Sequence, residues 1–341
     1  MMRMRNVAAN ALSVLIVLGV VVLVAIGIAK REFSAPGPLG QEVTVLVEQG
    51  DDVADVARLL EENGAIDSGF LFRLGARYRG EARAIKYGEY RIPPAASMER
   101  ILAMLVRGET VRHSITVVEG LTSWEVVELV RQNDVLTGEI EAVPPEGSLA
   151  PETYHVERGD TRAELLRRMR ALQEQILAEA WEKRPDEFPL GSPEEVLILA
   201  SIVEKETGVP EERGRVASVF LNRLERDMRL QSDPTVVYGV TEGKGPLGRG
   251  LRRSELDRVT PYNTYLTDGL PPTPIANPGL DAIEAVLNPA DKDDLYFVAD
   301  GTGGHVFAKT LDEHNANVRR WRKIEAERQA ATEREAAVET E

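Results

Sequence analysis

The stretch EEVLILASIVEKETG occupies residues 194–208 of the 341-residue chain. Every residue from 196 to 203 is apolar except Ser201. A helix that is apolar on nearly all sides is usually buried, so we predict a central helix around which other elements pack. Two carboxylates, Glu204 and Glu206, stand at the end of this helix and are followed by Thr207. The helix therefore brings acidic groups to the edge of a predicted core.

The elements predicted around this helix combine further helices with short strands. Amphipathic patterns predict helices at residues 161–181, 211–224 and 280–287. Two strands, at residues 295–299 and 305–309, are joined by a glycine-rich stretch that predicts a hairpin turn. Residues 225–278 are rich in proline and turn formers and are predicted as loops. The predicted fold class is therefore α+β.

One pattern occurs twice upstream of the central helix: a short β-branched run, a turn containing Gly and an amphipathic helix, starting at Val43 and at Ile115. The first copy, VEQGDDVADVA at residues 47–57, resembles part of a LysM module, a small glycan-binding fold. An ordinary strand-to-helix turn explains the same residues equally well. We predict a small LysM-like α/β subdomain over residues 43–110 and a second strand-helix unit over residues 111–145.

The N-terminal segment is apolar and uncharged between Arg5 and Lys30. At a rise of about 1.5 Å per residue, residues 7–29 are long enough to cross a hydrocarbon core of about 30 Å. We predict a transmembrane helix there, preceded by a cytoplasmic tail at residues 1–6. A linker rich in Pro and Gly follows at residues 30–42.

A cleaved signal peptide is the alternative interpretation of this segment. Gly27 and Ala29 are small enough for a cleavage site, but the apolar run exceeds the usual length of about 7–15 residues. The α-amino group and Glu32 weakly favour an N-terminus on the cytoplasmic side. We therefore expect the chain after residue 31 to lie outside the cytoplasm.

Composition excludes several classes of function. The chain has 41 Lys and Arg against 56 Asp and Glu, a net charge of -15, which argues against a nucleic-acid partner. With 0 Cys, it has no disulfides, thiolate zinc sites or cysteine nucleophiles. The motifs of serine hydrolases, penicillin-binding enzymes and zincins do not occur, and the 4 His are scattered. We predict no metal site and no cofactor.

The two glutamates that end the central helix are the candidates for chemistry. Desolvation raises the pKa of a carboxyl group, and a carboxylic acid that is still protonated near pH 7 can donate a proton. Residues two apart on a helix diverge by about 200°, so Glu204 and Glu206 are not expected to point into one cleft. One is predicted to be catalytic and the other structural. The competing interpretation is that both are helix-end acids paired with Lys205, Arg213 or Arg215.

Three later segments mix tyrosines with short hydrogen-bonding side chains or carry many prolines. They are residues 231–238, 260–265 and 269–278. Loops of this composition suit sugar binding, because sugar rings stack on aromatic faces while their hydroxyls need fixed partners. Each segment taken alone is better explained as a surface loop.

Six motifs occur together and in a fixed order. They are ASIVEKET at 200–207, RVASVFLNRL at 215–224, LQSDPT at 230–235, YNTY at 262–265, GLPP at 269–272 and YFVAD at 296–300. Together they resemble the MltG (YceG-like) family of endolytic murein transglycosylases. The resemblance extends from the apolar N-terminal helix to about residue 322, and it implies a catalytic domain over residues 146–322.

The resemblance implies that nascent peptidoglycan strands are cleaved between N-acetylmuramic acid and N-acetylglucosamine without water, which forms a 1,6-anhydro ring and ends elongation. One acid/base residue suffices for such a reaction. The acid in this family is followed by a small hydroxyl residue, a pattern that Glu206 with Thr207 fits and Glu204 with Lys205 does not. We therefore assign the acid/base to Glu206, with Glu204 and Thr207 as supporting residues.

Further residues become candidates for substrate binding through the same resemblance. They are Asp233, Tyr238, Tyr262, Asn263 and Glu152. Glu152 stands where the family has Asp in a Pro-Asp-Thr-Tyr run, which leaves its role open. The implied partners are peptidoglycan glycan strands, the membrane and, as candidates, peptidoglycan synthases.

The predicted location is a single pass through the bacterial cytoplasmic (inner) membrane, with the catalytic body on the outer or periplasmic side. Residues 323–341 are predicted as a solvated tail, either a fraying helix or disordered.

Two other functions fit the residues: a muramidase-type hydrolase that uses Asp233 as a second carboxylate, and a non-catalytic scaffold that binds peptidoglycan.

Overall fold

The computed structural model describes the backbone of residues 2–339 and the side chains of residues 12–328. The chain divides into two compact units, one of Met1–His113 with His155–Gly159 and one of Ser114–Tyr154 with Asp160–Glu341. The predicted cytoplasmic tail, residues 1–6, lies outside the described side chains. The domain boundaries inferred from the sequence, including the LysM-like subdomain, stay predictions.

The first unit begins with a long apolar helix and continues as a small α+β fold. Its elements are α1 (Met2–Ser34), β1 (Val43–Val47), α2 (Val53–Glu62), α3 (Gly69–Tyr78), β2 (Gly88–Ile92) and α4 (Met98–Arg107). Strands β1 and β2 pair antiparallel, with Val45 opposite Tyr90. Asp52 caps α2 by accepting hydrogen bonds from the Ala54 and Asp55 amides. Residues Leu12–Ser34 of α1 are long and apolar enough to cross a membrane, which makes this helix a candidate anchor.

The second unit contains the central helix and most of the remaining elements. Its first elements are β3 (Arg112–Thr116), α5 (Ser123–Arg131), β4 (Thr153–Glu157), α6 (Arg162–Glu182) and α7 (Pro193–Glu206). A 3-10 turn (Pro210–Glu212) follows, then α8 (Arg213–Glu225), α9 (Asp233–Thr241), α10 (Arg253–Leu256), α11 (Leu280–Leu287), β5 (Tyr296–Ala299), β6 (His305–Ala308) and α12 (Leu311–Glu339). Strands β3 and β4 pair in one two-stranded sheet and β5 and β6 in another, and the unit boundary falls within β3 and β4.

Helix α7 forms the core of the second unit, as its apolar run predicts. Val196, Leu199 and Ile202 are fully buried, and α7 packs against α6, α8 and α11. Its one polar interior residue has partners on both sides: the Ser201 hydroxyl donates to the Ile198 carbonyl at 2.7 Å and accepts from the Ile275 amide at 3.0 Å. The hydroxyl therefore costs little in the core, because both of its hydrogen-bonding functions are satisfied.

Two short helices that the sequence does not predict, α9 and α10, form within the turn-rich residues 225–278. Pro234 lies in the first turn of α9, where a missing N–H breaks no hydrogen bond within the helix. Thr235 and Val236 that follow are buried, and their burial stabilises the helix. Strand β3, which the sequence predicts to begin at Ile115, begins at Arg112 instead.

The C-terminal hairpin agrees with the sequence. Strands β5 and β6 pair antiparallel, with Phe297 opposite Phe307, so the glycine-rich stretch between them is a hairpin turn as predicted. The predicted tail, residues 323–341, begins inside α12, which continues to Glu339. Residues 340 and 341 lie outside the described part of the chain.

Candidate active site

A cavity of about 480 Å³ opens at the C-terminal end of α7, within the second unit. Several of its lining side chains are charged, aromatic or hydrogen-bonding. They include Glu206, Arg223, Asp233, Tyr265, His305 and His314. These six come from α7, α8, the start of α9, the loop after α10, β6 and α12, so the cavity exists only when these elements are assembled.

Glu206 is partly buried and meets the cavity at the end of α7. The surrounding protein atoms displace water from its carboxyl group and raise its pKa to about 7, and the negative charge of Asp233 acts in the same direction. A hydrogen bond of 2.5 Å from the Ser232 hydroxyl to Glu206 Oε1 lowers the pKa in part. Near neutral pH the carboxyl group therefore exists in both protonation states.

Ser232 is itself held by the YNTY motif. Its backbone amide donates to Thr264 Oγ1 at 3.0 Å, and Thr264 and Thr235 share a hydroxyl contact of 2.8 Å. All three residues are buried. The two motifs LQSDPT and YNTY thus meet behind Glu206 and fix the hydroxyl group that contacts its carboxyl oxygen.

The hydrogen-bond partners of Glu204 differ from those of Glu206. Its Oε1 accepts from Arg213 at 3.4 Å and its Oε2 accepts from the Gly279 amide at 3.0 Å. Arg213 also reaches Asp281 at 3.0 Å and Glu119 at 3.4 Å. The divergence expected for two residues on one helix is confirmed, and Glu204 ties the end of α7 to the starts of α8 and α11.

The competing interpretation of the two glutamates holds for one of them. Glu204 pairs with Arg213, as a helix-end acid would. Within the described residues Glu206 forms no ion pair with Lys205, Arg213 or Arg215; Lys205 donates to the Gly120 carbonyl and Arg215 pairs with Asp294. The two carboxylates therefore occupy different electrostatic environments.

Thr207 is buried just after α7. Its hydroxyl accepts from the Val209 amide at 3.0 Å and lies 3.5 Å from Glu212 Oε2. It shapes the turn that leaves the helix beside Glu206. Its supporting role stays a prediction.

A histidine that the sequence reasoning missed lies in the cavity wall. Glu212 accepts from the His305 amide through Oε1 and contacts His305 Nδ1 through Oε2, both at 2.8 Å. The pair joins the turn after α7 to β6, across 93 residues of sequence. No local sequence signal connects the two residues, because only the fold brings them together.

Asp233 and Tyr265 form a second pair in the cavity. The Tyr265 hydroxyl donates to Asp233 Oδ1 at 2.7 Å. Burial and the neighbouring Asp233 raise the pKa of Tyr265 above its usual value, so the phenol stays protonated. Of the predicted binding residues, Asp233 is the one that shares this cavity with Glu206.

The other predicted binding residues lie outside the cavity walls. Tyr238 and Tyr262 pack together with ring centroids 4.8 Å apart, and their hydroxyls contact Glu146 and Thr273. Asn263 is fully buried and donates to two backbone carbonyls, and exposed Glu152 accepts from the adjacent Thr153 amide. Asn263 therefore shapes its own loop, and a binding role for these residues stays a prediction.

The described part of the chain contains no group of three or more His, Asp or Glu side chains placed to hold a metal ion.

The sequence profile of the YceG-like family matches residues 45–320. The chain belongs to the YceG-like family. This confirms the resemblance carried by the six motifs, and the family match spans both structural units.

Named relatives agree with the family. A Bacillus subtilis (strain 168) protein called endolytic murein transglycosylase is 32% identical over 305 residues, which are 80% of this chain and 83% of the relative. A Streptococcus pneumoniae (strain D39) protein of the same name is 31% identical over 324 residues, 81% of this chain. This match spans only 58% of the pneumococcal protein. A crystal structure of a yceG-like protein from Listeria monocytogenes is 30% identical, with a TM-score of 0.50, and covers 81% of this chain and 99% of that one.

Proposed function

We propose that this protein is an endolytic lytic transglycosylase of peptidoglycan. It cleaves the bond between N-acetylmuramic acid and N-acetylglucosamine in nascent glycan strands and so ends their elongation. The observation that carries this proposal is Glu206, a carboxyl group with a pKa raised to about 7 at the wall of a cavity of about 480 Å³. Relatives named endolytic murein transglycosylase support the choice of substrate.

The reaction needs one group that first gives and then takes a proton. Protonated Glu206 donates its proton to the glycosidic oxygen as the bond from that oxygen to muramic acid C1 breaks. The C6 hydroxyl of the same muramic acid attacks C1 and gives its proton to the Glu206 carboxylate. The products are a 1,6-anhydro end and a free N-acetylglucosamine hydroxyl, with no water consumed. A pKa near the working pH suits both steps, because neither protonation state is scarce.

The neighbours of Glu206 have separable roles in this scheme. Ser232, held by Thr264, fixes the orientation of the carboxyl group. Glu212 holds Nδ1 of His305, so the other ring nitrogen is the one available to a bound sugar. Tyr265 and Asp233 supply hydroxyl and carboxylate groups on another part of the wall.

Hydrolysis is the second candidate, because Asp233 lines the same cavity as Glu206. Glycosidases normally use two carboxylates, the second of which activates water or attacks the sugar. In a muramidase-type reaction, Asp233 would be essential and the product would have a reducing end. A non-catalytic scaffold, the third interpretation, would bind glycan strands without cutting them.

Digestion of purified nascent glycan strands by the full chain, followed by mass spectrometry, separates these functions. We expect 1,6-anhydro ends from the wild type and from Asp233→Asn. Reducing ends that disappear in Asp233→Asn would instead establish hydrolysis. Strand binding without any cleavage would leave the scaffold function.

We also propose that α1 anchors the protein in the bacterial cytoplasmic membrane, with the remaining chain on the outer side. The length and apolar composition of Leu12–Ser34 support an anchor. The mass of the mature protein from membranes distinguishes this from a cleaved signal peptide, because cleavage near Ala29 would remove the whole apolar segment. Contact with peptidoglycan synthases and glycan binding by the LysM-like region remain part of the proposal.

A further inference from the structure

Helix α3 in the first unit has an unusual outer face. Phe70, Leu74 and Tyr78 are spaced four residues apart and are 64%, 49% and 92% exposed. The opposite face contributes Phe72 and Ala76 to the core, where both are fully buried. A helix at the surface of a water-soluble unit normally presents polar residues outward, so an apolar and aromatic stripe indicates contact with another apolar phase.

The end of α1 is packed against the same helix. The Phe33 ring is buried and lies so close to Gly75 of α3 that a Cβ atom there would overlap the ring. Ser34 donates to Glu99 of α4 at 2.8 Å, and Arg79 pairs with the same carboxylate at 2.6 Å. The last turn of α1 is therefore part of the folded unit, and the position of α3 beside α1 is fixed.

An apolar groove of about 410 Å³ lies between the two helices. Ile26, Ala29 and Lys30 of α1 form one side, and Leu74 and Tyr78 of α3 are on the other. At a rise of about 1.5 Å per residue, Ile26 and Lys30 are only about 6 Å apart along the helix axis. The groove thus lies at the level where the apolar segment of α1 gives way to Lys30 and Arg31.

We propose that the exposed face of α3 lies in the outer headgroup layer of the bilayer crossed by α1, and that a phospholipid chain fills the groove between α1 and α3. The stripe of α3 continues the lipid-facing surface of α1, on which Ile26 and Ile28 are also exposed. Aromatic side chains are enriched at this depth of a membrane. Exposed Lys30, Arg31 and Arg77 supply cations for lipid phosphates. The inference rests on the proposed anchoring role of α1.

The chain has 0 Cys, so single cysteines carry a probe without background. The test uses the full chain with Val22→Cys, Tyr78→Cys or Gln49→Cys, each labelled with an environment-sensitive fluorophore. The proteins are placed in vesicles of phosphatidylethanolamine and phosphatidylglycerol, with and without nitroxide-labelled phosphatidylcholine. Gln49 is the matched control because it is exposed in the turn between β1 and α2 of the same unit.

We expect the probes at positions 22 and 78 to shift to shorter emission wavelengths and to lose most of their fluorescence with nitroxide lipid. The probe at position 49 keeps its emission in both vesicles. A quenched probe at 22 with an unquenched probe at 78 would overturn the placement of α3 and leave the anchor standing. That result is also what a protein partner for the stripe predicts, because no partner is present in these vesicles. Unquenched probes at both positions would overturn the anchor and this inference together.

Discussion

Glu204 and Glu206 lie in the same last turn of α7, but their carboxyl groups have different surroundings. Glu204 accepts hydrogen bonds from the buried Arg213 and from the backbone amide of Gly279. Glu206 meets a serine hydroxyl, a second carboxylate and a cavity, and its pKa rises to about 7. A direct ion pair thus makes Glu204 a structural link, whereas burial beside Asp233 leaves Glu206 able to carry a proton.

The largest effect that the comparison predicts is on activity. We expect Glu206→Gln to lose at least about 100-fold in strand cleavage, since general acid-base catalysis typically contributes about 10²- to 10⁴-fold. Glu204→Gln, the matched change two residues away, should lose far less. The measurement is the rate at which anhydromuropeptides are released, with thermal unfolding as a control for folding. Full activity in Glu206→Gln, or equal losses in both variants, would contradict the assignment.

The pH dependence of stability gives the next largest effect. Because the pKa of Glu206 is about 7 in the folded protein and the usual value is 4.5, the stability it contributes is complete below pH 4.5 and is lost as the pH rises through 7. Between about pH 4 and pH 8, Glu206→Gln should therefore gain about 2–3 kcal/mol in unfolding free energy relative to wild type. Urea unfolding at several pH values measures this difference. A constant difference across the range would show that the Glu206 pKa is not raised.

Removal of the other carboxylate tests the structural side of the comparison. Glu204→Ala deprives Arg213 and the Gly279 amide of an acceptor, and we expect a loss of about 1–2 kcal/mol in unfolding free energy. Arg213 keeps Asp281 and Glu119, which limits the effect. Glu204→Gln retains an oxygen for Gly279 and should lose less. If alanine and glutamine were equally mild, the contacts of Glu204 would not stabilise the fold.

The smallest effect concerns the hydroxyl behind Glu206. The hydrogen bond from Ser232 lowers the Glu206 pKa, so Ser232→Ala should raise this pKa further. The alkaline limb of the pH-activity profile then moves to higher pH, by less than about one unit. Ser148→Ala, which removes a hydroxyl bound to the Pro145 carbonyl instead, provides the control. A shift to lower pH in Ser232→Ala would contradict the role given to this bond.

Local sequence patterns were sufficient for some features and not for others. The buried helix α7 and the divergence of its two glutamates follow from spacing alone, because both depend on residues that are neighbours in the chain. The turn formers and prolines of residues 225–278 do not predict helix α9, although Pro234 is tolerated in its first turn. The family resemblance includes the motifs that contain Ser232 and Thr264, but it does not predict the contact between these two residues.

The cavity could not be predicted from the sequence. Glu206 and Ser232 are 26 residues apart and Glu212 and His305 are 93 apart, so their contacts depend on how the helices and the hairpin pack. The raised pKa of Glu206 depends on the same packing, since displaced water is its largest cause. The sequence can therefore identify a candidate carboxyl group, whereas the folded structure determines the proton affinity of that group.

The central claim is that Glu206 is the group of this helix end that exchanges a proton near neutral pH. The direct measurement is a carbon-13 NMR titration of the glutamate carboxyl groups, in which the signal of Glu206 is identified by its absence from Glu206→Gln. The account predicts a midpoint near pH 7 for this carbon. A midpoint at or below the usual 4.5 would contradict it.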